Sequence, residues 1–417
     1  MHRRHERPLS LLPWTALLVA SAACEHPETT VRPPAVTIRD SADVEIVENH
    51  VPTWSVREAW TVADEPEFAI GGYNGEAEAA DSSHLVWNIS DAARLSDGRV
   101  AILSAGEKKV LVFEPTGDFA RSIGREGRGP GEFGYPEHLQ VLPGDTLVVW
   151  DFMMGPVAYF DPAGNLLRQR SIDVGALFAA VRTPGQTAPE RVHLPLDDGS
   201  FMVQLGRSDW SPTPGELYRR PIRFMRIDSD HSAQSFGWWE DRERVLLAFP
   251  ASQRVPFPPG AQLASGGTPL SVYISNGDRY DVHQFSGTGV LRRIIRRTTD
   301  PAPITASEIE EWKEAWASSY PPEGWPVWER AMAQLPPREY HPAVVGLLVD
   351  SDGHLWVADK VDRNASQWSV FDPAGRWLGP VNVPLQHVEW IGEDLILGFN
   401  FDRDLGLQLV QGYRLSR

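Results

Sequence analysis

Five histidines are spaced as though repeated units carry them. His138 and His193 each stand six residues before a glycine (Gly144 and Gly199), His387 stands five before Gly392, and His84 and His341 lie farther upstream of two comparable turns. Neutral imidazoles arriving from separate segments can ligate zinc or another borderline divalent metal, so His138, His193 and His387 are candidate metal ligands and all five are candidate ligand-binding residues. The same positions also suit histidines that bond neighbouring carbonyls or face solvent, and both readings stand. A second candidate is "GREGRGPGEFG" at 124–134, which contains G-x-G-x-x-G from Gly129 to Gly134. A dinucleotide loop must run into a helix whose N-terminus holds the pyrophosphate. Here Tyr135-Pro136 and the strand-like "HLQVL" follow, and the segment has no G-K-[ST], so no nucleotide cofactor is expected. What remains is a structural link, or an anion held by exposed amides together with Arg125 and Arg128. Asp151 and Asp359 close the similar runs "LVVWD" and "LWVAD" and are expected as repeated turn acceptors, not as a catalytic carboxylate pair. No G-x-S-x-G elbow or H-E-x-x-H pattern occurs, and no catalytic residue is assigned.

The lone cysteine of the 417 residues, Cys24, follows a basic opening, "MHRRHER", an apolar run, "LSLLPWTALLVA", and the small residues "SAA". That order is the form of a secretory signal peptide, too short for a membrane span. With one cysteine no internal disulfide can form. "ASAAC" resembles the lipobox of bacterial lipoproteins, which implies that Cys24 carries a lipid and becomes the mature N-terminus. Residues 1–23 are then a leader and 24–40, polar and proline-bearing, a tether. The expected location is extracytoplasmic, with the lipid as anchor to the cell envelope, facing periplasm or cell surface. The formal charge of −17 becomes more negative without the leader and argues against a nucleic-acid partner.

The elements that must position these residues recur. "FEPTGDF" at 113–119, "FDPAGNL" at 160–166 and "FDPAGRW" at 371–377 are versions of one phrase, with "FSGTGVL" at 285–291 a looser fourth. Each follows an alternating β-rich run, as in a hairpin where Phe is buried, Pro fixes φ and Gly takes the left-handed position. The spacing from Phe113 to Phe160 suits a four-stranded propeller blade. Five units follow: Leu85 to Gly124, His138 to Asp173, His193 to Trp238, Gly260 to Thr298 and Val344 to Val383. A sixth is split between 387–415 and the β-like "VEIVENH" or "EPEFAIGG" near the other end of the chain. Residues 302–338 interrupt the pattern with "TASEIEEWKEAW", where Ser307 and Glu310 have capping-box spacing, and "WPVWERAMAQL". A helical hairpin is expected there, with Trp312, Trp316 and Trp328 turned inward.

With its glycine link, the run "GREGRGPGEFGYPEHLQVLPGDTLVVWD" resembles the repeat of NHL-type β-propellers. The whole succession, from lipobox through "DSADVEIVENHVPTW" and "ARLSDGRVAIL", resembles a largely uncharacterised family of bacterial six-bladed β-propeller lipoproteins. The resemblance implies an all-β fold over 41–417, six four-stranded antiparallel blades with a helical insertion. It also implies a binding or scaffolding module for a protein, peptide or glycan, with the membrane reached through the lipid. The alternative is a metal-dependent lyase or hydrolase of small polar substrates in the central channel, since some NHL-type lyases use a histidine-bound metal there.

Overall fold

The computed structural model describes residues 34–71, 86, 88–151, 156–171, 179, 181, 187–196, 200–228, 232–246, 252–319, 325–333, 338–362, 365–402 and 407–417. The body from Pro34 to Arg417 is one compact unit. It is a six-bladed β-propeller. Blade 1 contains the strands Ile89–Arg94, Val100–Ser104, Lys109–Phe113 and Phe119–Ile123, and blade 2 Pro136–Leu142, Thr146–Asp151, Val157–Phe160 and Leu166–Arg170. Blade 3 contains Thr187–Pro195, Phe201–Arg207, Pro221–Ile227 and Ala233–Glu240, and blade 4 Gln262–Gly266, Ser271–Ser275, Asp281–Ser286 and Leu291–Arg297. Blade 5 contains Gly346–Val349, Leu355–Val361, Ser366–Phe371 and Trp377–Val383. Blade 6 takes His387–Ile391, Leu395–Asp402 and Leu407–Ser416 from the end of the chain and Phe68–Gly71 from its beginning.

The repeated phrase is the turn between the third and outer strands of a blade. In each case the glycine is left-handed, at φ 91, 90, 80 and 78° for Gly117, Gly164, Gly289 and Gly375. Its amide bonds the carbonyl three residues back, and the residue after the phenylalanine donates to the carbonyl four residues on, as from Asp161 to Asn165 and Asp372 to Arg376. Asp161 and Asp372 brace the turn through their carboxylates, and Ser286 does the same work in blade 4 through its hydroxyl. The phenylalanines Phe113, Phe160, Phe285 and Phe371 are buried, as the phrase predicts.

The core consists of six apolar clusters, one in each cleft between neighbouring blades. Ile102 and Phe113 meet Leu397 and Val410 between blades 1 and 6; Leu103 and Ile123 meet Val149 and Phe160 between blades 1 and 2. The other four clefts are filled likewise, with Trp150 and Phe201 in the second, Phe224 and Phe285 in the third, Tyr273 and Phe371 in the fourth and Trp356 and Tyr413 in the fifth. Each fully buried large apolar side chain contributes about 1.5–3 kcal/mol, so the ring is held by packing between sheets rather than by any central plug.

The N-terminal segment departs from the expected tether. Val36–Ser41 and Val44–Asn49 form a hairpin through Ala42 and Asp43, whose φ values of 51 and 63° mark a two-residue turn. Residues 36–40 therefore belong to a strand. "VEIVENH" does not complete blade 6: Val44–Asn49 pairs in parallel with Leu291–Arg297 and extends blade 4. What fixes it there is Asn49: Val47 and Asn49 enter the interior, and the Asn49 amide donates to the Arg296 and Gly375 carbonyls and accepts from the Trp377 amide. Thr53 and Trp54 then bond the Trp377 and Leu378 carbonyls along the edge of blade 5, and "EPEFAIGG" supplies the outer strand of blade 6. One strap thus runs along three blades in turn.

The insertion forms helices α1, Ala306–Ser319, and α2, Trp325–Met332. The capping box lies two residues earlier than expected. Thr305 caps α1: its amide and hydroxyl donate to Glu308 and its hydroxyl accepts from the Glu308 amide, whereas Ser307 turns to Glu311. Trp312 is half-buried, and the side chains of Trp316 and Trp328 lie outside the described residues.

Candidate functional site

In an antiparallel four-stranded blade the outer-to-first links and the second-to-third loops emerge on the same face. The glycine link, the start of every first strand and the helical insertion all lie there. The first strands also touch one another, blade 1 against blades 2 and 6, and blade 5 against blades 4 and 6. They form the inner ring, and chemistry at the mouth must come from their leading residues.

Four of these strands are irregular, that of blade 3 twice, between Pro189 and Arg191 and between Val192 and Leu194. In the other three the pairing register slips toward the leading end, between Ile89 and Asp91 in blade 1, between Pro136 and His138 in blade 2 and between Val388 and Trp390 in blade 6. A bulge re-aims the side chains beside it. Here the residues concerned are Asp91, His138 and Glu389. The His138 Nδ1 lies 3.9 Å from Asp91 Oδ2, with the side chains 24% and 18% exposed. The Ala92 and Leu139 amides donate to the two Asp91 oxygens, both at 2.9 Å, so the carboxyl is fixed by its own blade and by the next. Ser90 adds a hydroxyl bond to the Pro136 carbonyl. Burial pushes the Asp91 carboxyl up to about 7 despite the two amide bonds. Burial, and after it the Asp91 charge, holds Glu389 well above the ordinary carboxylate range. Two buried acids from neighbouring blades therefore hold their protons more tightly than free carboxyls, with the His138 ring beside one of them.

The other residues expected from the sequence are distributed elsewhere. The His193 ring bonds Gln204 Oε1 at 2.7 Å and packs edge-on against Phe224, inside its own blade. His387 stacks on Phe399, also within its blade. His341 follows the insertion and packs on it, with Nε2 3.3 Å from Glu308 Oε1 and its ring against Phe257. Among the described residues no group of three His, Cys, Asp or Glu side chains is placed to hold a metal ion. His84 and Cys24 lie outside the described residues.

The glycine link uses its amides internally. Glu132 accepts from the Gly129 amide and pairs with Arg125, Gln169 accepts from Gly131, and Asp151 accepts from both Gly134 and Tyr135. The amides expected to cradle an anion are occupied by the chain's own acceptors, and Arg128 is exposed beside them. Asp151 is the turn acceptor expected of it. Asp359 differs: it lies between blades 4 and 5, paired with Arg297 and bonded by Tyr280 and Ser369.

Asp91 and Glu389 went unread in the sequence. Their signal was a carboxylate set into a largely apolar leading strand, "NISDAARL" and "HVEWI": Asp91 matches His138 of "PEHLQVL" just after the slip, and Glu389 matches Glu137 within it.

The fold defines a class, the six-bladed β-propeller. Residues 80–186 match the family model DUF5128, described as 6-bladed beta-propeller. Solved structures similar to the chain include a protein described as exported from Bacteroides fragilis, at 14% identity over 89% of this chain and 100% of that one, with a TM-score of 0.45. A member of the duf4221 family from Bacteroides vulgatus shows 8% identity over 86% and 99%, with a TM-score of 0.45. A gluconolactonase from Xanthomonas campestris shows 12% identity over 86% and 98%, with a TM-score of 0.37. Identities this low give no residue correspondence through which a role could be transferred. No curated protein matches the chain.

Proposed function

We propose that the protein is an exported propeller, lipid-anchored through Cys24, that binds a small polar ligand at the mouth of its ring. The observation that carries this reading is the convergence of Asp91, His138 and Glu389, each delivered by a bulge in a different leading strand. A rigid ring that gathers side chains from separate blades holds them pre-organised, which lowers the entropic cost of binding. Two acids beside an imidazole offer acceptors to an amine and donors to a hydroxyl or carbonyl, so an amine-bearing ligand with further polar groups fits best. The described residues provide no three-ligand set for the metal-dependent lyase or hydrolase alternative.

The test is thermal melting of the full-length chain in detergent with arginine, spermidine or glucosamine as probes and glucose as control. A saturable rise with an amine that disappears in Glu389→Gln supports the reading. No rise with any amine, or one unchanged in the variant, defeats it.

A further inference from the structure

A cavity of about 570 Å³ opens between the outer strand of blade 3 and the third strand of blade 4, away from the inner-ring cluster. Its rim holds Trp238, a large apolar side chain left 45% exposed. The local backbone explains the exposure. Gly237 takes φ 89° and the strand slips register between Arg223 and Met225, so that Trp239 turns into the core at 8% exposure while Trp238 faces out. The ring is steadied by the Arg223 guanidinium at 5.7 Å, itself fixed to the Ser235 hydroxyl at 2.8 Å.

Around this ring stand hydrogen-bonding groups that the fold leaves unused. Arg279 and Asp281 have no ion pair among the described residues, although both line the cavity. The His283 ring meets Trp239 edge-on at 5.2 Å and stacks on Phe285 at 6.5 Å, and burial keeps its pKa below the ordinary value, so the neutral ring offers one donor and one acceptor. In the lining Arg279 offsets Asp281 and Asp278 lies 3.8 Å from Arg219, so with Arg223 over the indole no strong charge of either sign builds up, which disfavours a highly charged ligand. The cavity also continues: a second one of about 440 Å³ shares Arg279 and Asp281 and runs on toward Arg296.

We infer that this groove is a binding site for a neutral oligosaccharide. An exposed indole face takes the C–H side of a pyranose ring, and planar charged and amide groups at its rim exchange paired bonds with vicinal hydroxyls. A groove that extends past one cavity suits several sugar units in line rather than one. The site is separate from the inner-ring cluster and does not depend on the function proposed for it.

The experiment is a fluorescence and calorimetric titration of the full-length chain in detergent with cellotetraose, maltotetraose and chitotetraose, and with tetragalacturonate as an anionic comparison. Saturable binding of a neutral tetrasaccharide is expected, weakened about tenfold or more in Trp238→Ala and in Arg279→Ala and unchanged in Glu389→Gln. Both altered residues are exposed, so unchanged melting of the variants keeps loss of binding distinct from loss of fold. The inference is overturned if none of the neutral probes binds, if Trp238→Ala binds as the parent does, or if tetragalacturonate alone binds.

Discussion

Burial raises the proton affinity of both Asp91 and Glu389, and the Asp91 charge raises that of Glu389 further. A carboxyl whose pKa is raised on folding, here from 3.8 to about 7 for Asp91, favours the folded state only while protonated. Its contribution is complete in acid and is lost as the pH climbs toward and through 7. Glu389→Gln removes one charge without taking an acceptor from either of the amides that bind Asp91. The variant is expected to melt higher than the parent at pH 8, by about 2 °C for a stabilisation of order 1 kcal/mol, with little difference at pH 5. No difference from the parent at either pH would show that the fold does not raise the Glu389 carboxyl. Neither acid was legible as a site in the sequence, because a bulge is a property of strand pairing and a single strand carries no mark of where its partner slips. A histidine is marked in a sequence by its chemistry whatever its strand does, and of the four candidates among the described residues only His138 lies beside Asp91.

At the level of elements, the blade turns were the most legible feature. Phe, then Glu, Asp or Ser, then Pro or Gly, with Gly two residues further on, dictate a hairpin locally, and the four phrases form four equivalent turns. The helical insertion was legible in position but not in its cap, since Thr305-x-x-Glu308 and Ser307-x-x-Glu310 overlap and only the fold chooses between them. The choice is tied to tertiary contacts. Burial works to raise the Glu308 carboxyl, but the Thr305 amide and hydroxyl together with Lys360 hold it at about 2, and Lys360 belongs to blade 5. A depressed carboxyl stabilises the fold above its unfolded pKa of 4.5, and this is lost as the pH falls toward 2. Thr305→Ala is expected to loosen α1 by about 1 kcal/mol, read as faster proteolytic cleavage within 306–332 while the global melting temperature barely moves. Cleavage at the parental rate would mean that Arg338 pairing with Glu243 and His341 packing on Phe257 hold the insertion unaided.

The whole ring was legible as a number of blades but not in its closure. Two N-terminal segments of similar alternation competed for one vacancy, and strand pattern does not say which sheet edge a strand will meet. The structure gives Phe68–Gly71 to blade 6 and Val44–Asn49 to blade 4, so the strap covers an edge that would otherwise be open. Removing residues 34–54 is therefore expected to leave blade 6 closed but to expose Leu291–Arg297, lowering the melting temperature and promoting self-association in light scattering. A truncated chain that stays monomeric would show that the "RRIIRR" edge guards itself through charge. The strap also sets a clock on assembly. Glu67 pairs with Arg414 across 347 residues, and Phe68–Gly71 has no strand to join until Leu407–Ser416 has been made. Blades 1 to 5 can gather in order as they emerge, but the ring closes only once Leu407–Ser416 is available, so its closing step is a long-range event between segments more than 300 residues apart.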